Sequence, residues 1–312
     1  MASDFTSRLT EDVRNRLSSL AEGGEAPVPK HASTVVLLRD VGGVDGGADE
    51  ASTVEGIEAC LLRRVRTMAF AAGMHVFPGG GVDAADASTD SAWIGPSPQD
   101  WAQVLSADPG LARALVCAAV RETFEESGVL LAGPDESTIV DTDPQVDPSW
   151  ETDRQALIDR SFSLSELLVR RGLALRADLL RPWAHWVTPE AEPKRYDTRF
   201  FVAALPGAQA TRHVGGESDR MIWLRPQDAL DRHTEGGLAM LPPTAFTLAE
   251  LTNFSRVADV LEAANERDIR PVLPRVVLTG EQAELLLPGD PGYAEGSDGG
   301  HSGGSGDPGV GN

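Results

Sequence analysis

Arg121, Glu122, Glu125 and Glu126 lie within six positions of the stretch CAAVRETFEESGV, residues 117–129. At about 100° per residue, a helix places the three carboxylates within an arc of roughly 100°, with Val116, Cys117, Val120, Thr123 and Phe124 on the opposite side. Gly128 is placed to end that helix. The plainer reading is a solvated helix with an i,i+4 ion pair between Arg121 and Glu125, worth about 0.3–0.5 kcal/mol. The chemical reading is that a hard cation relieves the repulsion, because Mg²⁺ and Mn²⁺ take oxygen ligands of this type. Such a cation bridges a diphosphate, offsets charge on a leaving oxygen and activates a water, so no covalent nucleophile is required.

Around this helix the chain is punctuated in a way that limits what it can be. STVVLLRD at 33–40 and IEACLLRRV at 57–65 read as an antiparallel strand pair across a glycine-rich loop. HVFPGGGVDAAD, 75–86, reads as a glycine-rich turn, and the polar, proline-containing residues that follow read as an insertion. Downstream, SLSELLVRRG at 163–172 reads as a helix, WAHWVTP at 183–189 and RFFVAAL at 199–205 as strands, and MIWLRPQDALDR as a strand leading into a helix. Residues 248–268 have a helical rhythm, and 276–289 suggest a final hairpin.

The glycine turn and the acidic helix together resemble the Nudix box, G-x5-E-x7-R-E-U-x-E-E-x-G-U with U aliphatic. Residues 121–129, RETFEESGV, match its second half, with Thr123 at an aliphatic position; Gly80 takes the first glycine and Asp86 stands where the first glutamate is usual. Between Asp86 and Arg121 the chain carries about 27 more residues than the family pattern. The resemblance implies an α/β (α+β) fold, a Nudix-type α/β/α sandwich with a mixed sheet and an added helical insertion. It implies catalytic roles for Arg121, Glu122 and Glu125 and metal ligation by Glu122, Glu125, Glu126 and a Gly80 or Gly79 carbonyl, with Mg²⁺ or Mn²⁺ as cofactor. Arg121 would hold Glu122, itself a third ligand or the base. Asp86 is one methylene shorter than the usual glutamate and precedes the insertion, which makes it a poor substitute for that glutamate. Glu217 is a second candidate for a distal base.

Upstream, LLRRVRTMAFAAGMHVFPGG at 61–80 resembles the coenzyme A signature of some Nudix hydrolases. Arg64 and Gly73 stand in register, while Leu62, Val65 and Ala69 depart from it. In a strand Arg64 and Arg66 share a face that Arg63 does not. Lys194, Arg195 and Arg199 form a second basic cluster that could meet phosphate, since guanidinium groups bind it bidentately. His185, between tryptophans, reads as a packed strand histidine; His75 and His213 have no partner in the sequence. The implied function is metal-dependent cleavage of a diphosphate linkage in a nucleoside diphosphate derivative, with coenzyme A or acyl-coenzyme A leading. Hydrolysis of nucleoside triphosphates, nucleotide sugars or dinucleotides, or nucleotide binding without turnover, are the alternatives.

Composition sets the outer limits. The chain has 312 residues, 41% of them hydrophobic, enough for a substantial core. A net charge of −21 argues against broad contact with a nucleic acid or an anionic membrane, and leaves a small diphosphate compound as the expected partner. Cys60 and Cys117 sit in apolar runs, which fits buried thiols in a reducing cytoplasm. No stretch of eighteen apolar residues is present. The expected division is an N-terminal helix and linker over 1–29, the catalytic domain over 30–293 and a disordered Gly/Ser-rich tail over 294–312. Insertions at about 87–113 and 134–180 are expected to build a helical cap or a homodimer interface.

Overall fold

Val35, Val36, Leu37 and Leu38 are all completely buried, so the strand that carries them is covered on both faces. In this computed structural model, which describes residues 17–20, 22–41, 56–65, 73–212, 218–279 and 282–293, that strand is β1, Lys30–Val41. Residues 1–16 of the expected N-terminal helix and linker, the tail from 294, and Arg66, Ala69, His213 and Glu217 lie outside the described residues. The chain divides into one unit formed by 27–188 and 193–271 and another by 1–26, 189–192 and 272–312.

In the larger unit β1 pairs antiparallel with β2 (Gly56–Arg64), as the sequence suggests, and parallel with β9 (Tyr196–Ala204). The five long strands run β10, β2, β1, β9, β8, with β8 at Arg181–Val187 and β10 at Ser218–Leu224, making a mixed sheet. Two short strands, β3 (His75–Val76) and β4 (Gly79–Gly81), turn the glycine-rich segment back along β2 and β1. Val35, Leu37, Cys60, Phe201 and Ala203 share one core with Leu115, Val116, Ala119, Val120 and Phe124 of a long helix. Residues Val36 and Leu38 alternate to the opposite face, where a helix over Val257–Asn265 contacts β1, β8 and β9. Helices therefore cover both faces of the sheet.

The insertion after the glycine turn is more regular than expected. A 3-10 turn at Ala84–Ala87 leads to β5 (Ala92–Ile94) and α1 (Pro98–Leu105). The long helix, α2, then begins at Pro109, inside the stretch read as the insertion. Asp108 accepts the Leu111 N–H and proline occupies the first turn, where its missing donor is not needed. The later insertion supplies α3 (Ser149–Ile158) and α4 (Leu164–Arg171), and β6 (Ala132–Gly133), β7 (Ala174–Arg176) and β5 form a small separate sheet.

The helical rhythm over 248–268 is not one helix. The structure makes α5 (Pro226–Thr234), α6 (Pro242–Leu251) and α7 (Val257–Asn265), with a break at 252–256. There Asn253 donates to the Glu250 carbonyl and Phe254 turns in to meet the Trp183 ring edge-on, with ring centroids 6.1 Å apart. In the smaller unit, β11 (Arg275–Thr279) and β12 (Gln282–Leu286) form the expected hairpin, outside the unit that contains β1. Among the described residues, no helix is long and apolar enough to cross a membrane.

Candidate active site

Helix α2 ends at Gly128, whose φ of 75° needs a residue without a Cβ penalty. Its last two turns carry Arg121, Glu122, Glu125 and Glu126. Arg121 is only 6% exposed and acts as the hub. Its Nη1 donates to Glu122 Oε1 at 2.8 Å and to Glu125 Oε1 at 3.2 Å, while Nη2 donates to the Gly81 carbonyl at 2.8 Å. Nε and Nη2 together grip both oxygens of Asp86 at 3.0 Å. The i,i+4 pair expected of a solvated helix is present, but as one spoke of a buried network.

Asp86 thus has a defined place. The 3-10 turn buries it, and its Oδ2 also accepts the Asp83 N–H at 2.8 Å. The residues between it and Arg121 loop out and return, because α1 packs on α2 and the 3-10 turn does the same. Glycine geometry brings the turn close to the helix. Glu126 Oε2 accepts the Gly79 N–H at 2.8 Å, and a Cβ on Gly80 would lie 2.5–2.6 Å from the carboxylate carbon and Oε2 of Glu122. Gly80, expected to offer a carbonyl, therefore forms the floor beneath the Glu122 carboxylate. Thr123, at the aliphatic position, is buried and donates to the Ala119 carbonyl, which satisfies its hydroxyl within the helix.

The electrostatics follow from one guanidinium facing several carboxylates. Burial, opposed by Arg121 and reinforced by Glu125 and Asp86, pushes the Glu122 carboxyl up to about 7. Burial also raises Glu125, again against Arg121. Arg121 loses to desolvation but is held above its ordinary value by Asp86, Glu122 and Glu125. The donor set is all oxygen and carries more negative charge than Arg121 offsets, which is the chemistry that suits a hard divalent cation. Among the described residues no three acidic, histidine or cysteine side chains already converge as a cage. Arg121 draws Glu122 and Glu125 to itself and Gly79 holds Glu126, so ligation by all three requires these side chains to turn.

Two arginines at the helix C-terminus were not singled out from the sequence. Arg154, of α3 and 2% exposed, donates from Nη1 to the Glu125 carbonyl at 2.7 Å and pairs with Glu151. Arg212 donates to the Gly128 and Thr142 carbonyls. A signal for the first existed: Trp150, Asp153, Arg154 and Leu157 form the buried face of α3, and an arginine on such a face requires partners.

The expected phosphate contacts are distributed differently. Gly73, with φ 73°, donates its N–H to the Arg64 carbonyl at 3.0 Å, and Arg64 donates its own to the Met74 carbonyl, so the two signature residues bond to each other through the backbone. Arg63 forms a bidentate pair with Asp219. The structure does not gather Lys194, Arg195 and Arg199 into one cationic face. Lys194 is exposed and lies over the Tyr196 ring. Arg195 is buried and donates to the Thr188 and Pro27 carbonyls. Arg199 is buried with Asp197 and His185 and donates to the Leu105 carbonyl. His185 is the packed strand histidine that its surroundings suggested, paired with Asp197. Cys60 and Cys117 are buried free thiols, each pushed up to about 12 by desolvation.

A family model described as the NUDT19 Nudix domain matches residues 99–251. The chain is 28% identical to the acyl-coenzyme A diphosphatase NUDT19 of Gallus gallus, over 77% of this chain and 74% of that protein. It is 29% identical to the protein of the same name from Homo sapiens, over 78% and 74%. Among solved structures, a NUDIX hydrolase from Alicyclobacillus acidocaldarius superposes with a TM-score of 0.59 at 29% identity, covering 75% of this chain and 96% of that one.

Proposed function

We propose that the chain is a Nudix hydrolase that cleaves the diphosphate of coenzyme A or an acyl-coenzyme A, with Mg²⁺ or Mn²⁺ held by Glu122, Glu125 and Glu126. The observation that carries the substrate class is the similarity to acyl-coenzyme A diphosphatases over about three quarters of the chain. When bound, the cation supplies charge compensation at the leaving oxygen and acidifies the attacking water.

The chain's own groups do the positioning. Arg121 holds Glu122 through Nη1 and Asp86 holds Arg121 through two hydrogen bonds, which keeps the carboxylate at the site until a cation turns it. Glu122 is the group placed to accept a proton from the water whose oxygen bonds to phosphorus as the bridging P–O bond breaks. Glu126 ties the glycine turn to the helix through the Gly79 N–H. Free buried thiols favour a reducing compartment such as the cytoplasm.

The test is product analysis by chromatography and mass spectrometry after incubation with either cation and a panel of coenzyme A, acyl-coenzyme A, NADH, ADP-ribose and nucleoside triphosphates. Release of 3′,5′-ADP with the phosphopantetheine fragment is the expected result. Cleavage confined to the other compounds would overturn the substrate class while keeping the chemistry.

A further inference from the structure

Three arginines at the carboxylate end of α2 are engaged with protein groups. Arg121 is tied to Asp86, Glu122, Glu125 and the Gly81 carbonyl, Arg154 to Glu151 and the Glu125 carbonyl, and Arg212 to the Gly128 and Thr142 carbonyls. A fourth, Arg160, follows the end of α3. Its side chain is 75% exposed, and the ion pair it makes among the described residues is to Asp83, Nη2 to Oδ2 at 3.4 Å.

That pair leads to the site. The same Asp83 Oδ2 lies 4.0 Å from Arg121 Nη2, and the other terminal nitrogen of Arg121 meets Glu122 and Glu125. One carboxylate oxygen therefore separates an exposed guanidinium from the buried one that holds the acidic residues. Asp83 is itself fixed, because it caps the 3-10 turn and donates its N–H to Asp86. An exposed pair contributes little, so a phosphate that offers two oxygens to the guanidinium draws it from Asp83 at small cost. Asp83 then still faces Arg121.

The backbone at Arg160 adds a second observation. Its φ is 55°, in the left-handed region that glycine enters freely and an L side chain enters at a cost. The Arg160 N–H donates to the Leu157 carbonyl and the Ser161 N–H to the Ala156 carbonyl, each at 2.9 Å, which is the Schellman closure of a helix with Arg160 at the position usually held by glycine. Helices α2 and α4 end with glycine in this conformation, at Gly128 and Gly172. Closing α3 requires only a glycine there; the arginine brings in addition a cation to the rim of the carboxylate cluster.

We propose that Arg160 binds the diphosphate of the substrate, its guanidinium leaving Asp83 for paired hydrogen bonds to non-bridging oxygens of the phosphates held beside Glu122 and Glu125. The inference rests on the diphosphatase reading above and deepens it by assigning the side chain that meets the phosphates. The later insertion then contributes a substrate contact through Arg160 as well as the support that Arg154 gives to α2.

The test uses the wild type, Arg160→Gly and Arg160→Lys. It measures binding of α,β-methylene-ADP, a diphosphate with an uncleavable bridge, by isothermal titration with Mn²⁺ present, then kcat and KM for coenzyme A, dephospho-coenzyme A and ADP-ribose, and thermal melting. Arg160→Gly is expected to weaken binding of the analogue, and to raise KM for every substrate the wild type cleaves, by about tenfold. Its melting temperature stays level or rises by a few degrees, since glycine suits the left-handed turn. Arg160→Lys recovers part of the affinity, because it restores the charge without the fork. Unchanged binding of the analogue and unchanged KM in Arg160→Gly overturn the proposal. A loss confined to coenzyme A, sparing dephospho-coenzyme A and ADP-ribose, assigns Arg160 to the ribose 3′-phosphate and overturns it as well. A wild type that cleaves ADP-ribose but neither coenzyme overturns the coenzyme reading, while the effect of Arg160→Gly on the analogue and on ADP-ribose still decides the role of Arg160. A wild type that neither binds the analogue nor cleaves any of the three overturns both.

Discussion

Glu122 is the residue whose environment leaves a measurable mark on the whole protein. Its carboxyl is raised from 4.5 to about 7 by burial, with Glu125 and Asp86 adding to the rise. For such a group the folded state binds the proton more tightly than the unfolded chain, so its contribution is fully present below about pH 4.5 and is lost as the pH rises through about 7, by up to about 3 kcal/mol. Without divalent cation, the melting temperature is therefore expected to fall between pH 5 and pH 8, and added Mn²⁺ to restore more at pH 8 than at pH 5; a flat profile in thermal scans would exclude this. The two adjoining glycines separate activity from stability. A Cβ on Gly80 meets the Glu122 carboxylate, the far end of a side chain, whereas on Gly79 it meets backbone, the Thr34 Cα at 2.7 Å. Gly79→Ala is expected to destabilise by about 1–3 kcal/mol. Gly80→Ala is expected to lose about tenfold or more of kcat with melting little changed, so equal behaviour of the two in paired melting and rate measurements would show the argument wrong. The spacing of Glu122, Glu125 and Glu126 was legible in the sequence because it is a local helical period. The role of Asp86 was not, since only the tertiary packing that closes the intervening excursion returns it to Arg121.

Among elements, α3 connects a late insertion to the helix that carries the site. Arg154 leaves α3 to bond the Glu125 carbonyl, an end group that α2 cannot satisfy internally. Its positive charge at a helix C-terminus is also favourable. Arg154→Met leaves that carbonyl without its donor and Glu151 with Arg212 alone, and frees the last turn of α2 to shift. Isothermal titration with Mn²⁺ is expected to show affinity reduced by about tenfold, with Arg154→Lys recovering part of it, and unchanged affinity in both would reduce Arg154 to a packing role. Short-range pattern found most elements here, including the β1 and β2 pair, because alternating or continuous apolar runs are written in neighbouring residues. It merged α6 with α7, since the 3.6-residue rhythm passes through 252–256 while Phe254 leaves the helix to pack on Trp183. It also left the contacts of Arg154 and Arg195 unread, because their carbonyl partners lie far away in sequence.

At the scale of the whole molecule, a net charge of −21 surrounds a site meant for a polyanion. The local balance does not cancel it: Arg121 is committed to Asp86, Glu122 and Glu125, Arg63 to Asp219, and Arg195 and Arg199 are buried among their own partners. A free diphosphate substrate therefore approaches a field of its own sign, which slows encounter most when screening is weakest. The screening length falls from about 30 Å at 0.01 M salt to about 10 Å at 0.1 M, shorter than the span of the protein. At a fixed, saturating divalent cation concentration, KM for coenzyme A is expected to fall severalfold as KCl is raised from 10 to 100 mM, with kcat changing by less than about twofold because the chemical step proposed at Glu122 lies beside the buried Arg121. Neutral substrate fragments that lack the diphosphate should bind with no such dependence. A KM that instead rises with salt would mean that attraction by cationic side chains near the site outweighs the field of the whole chain.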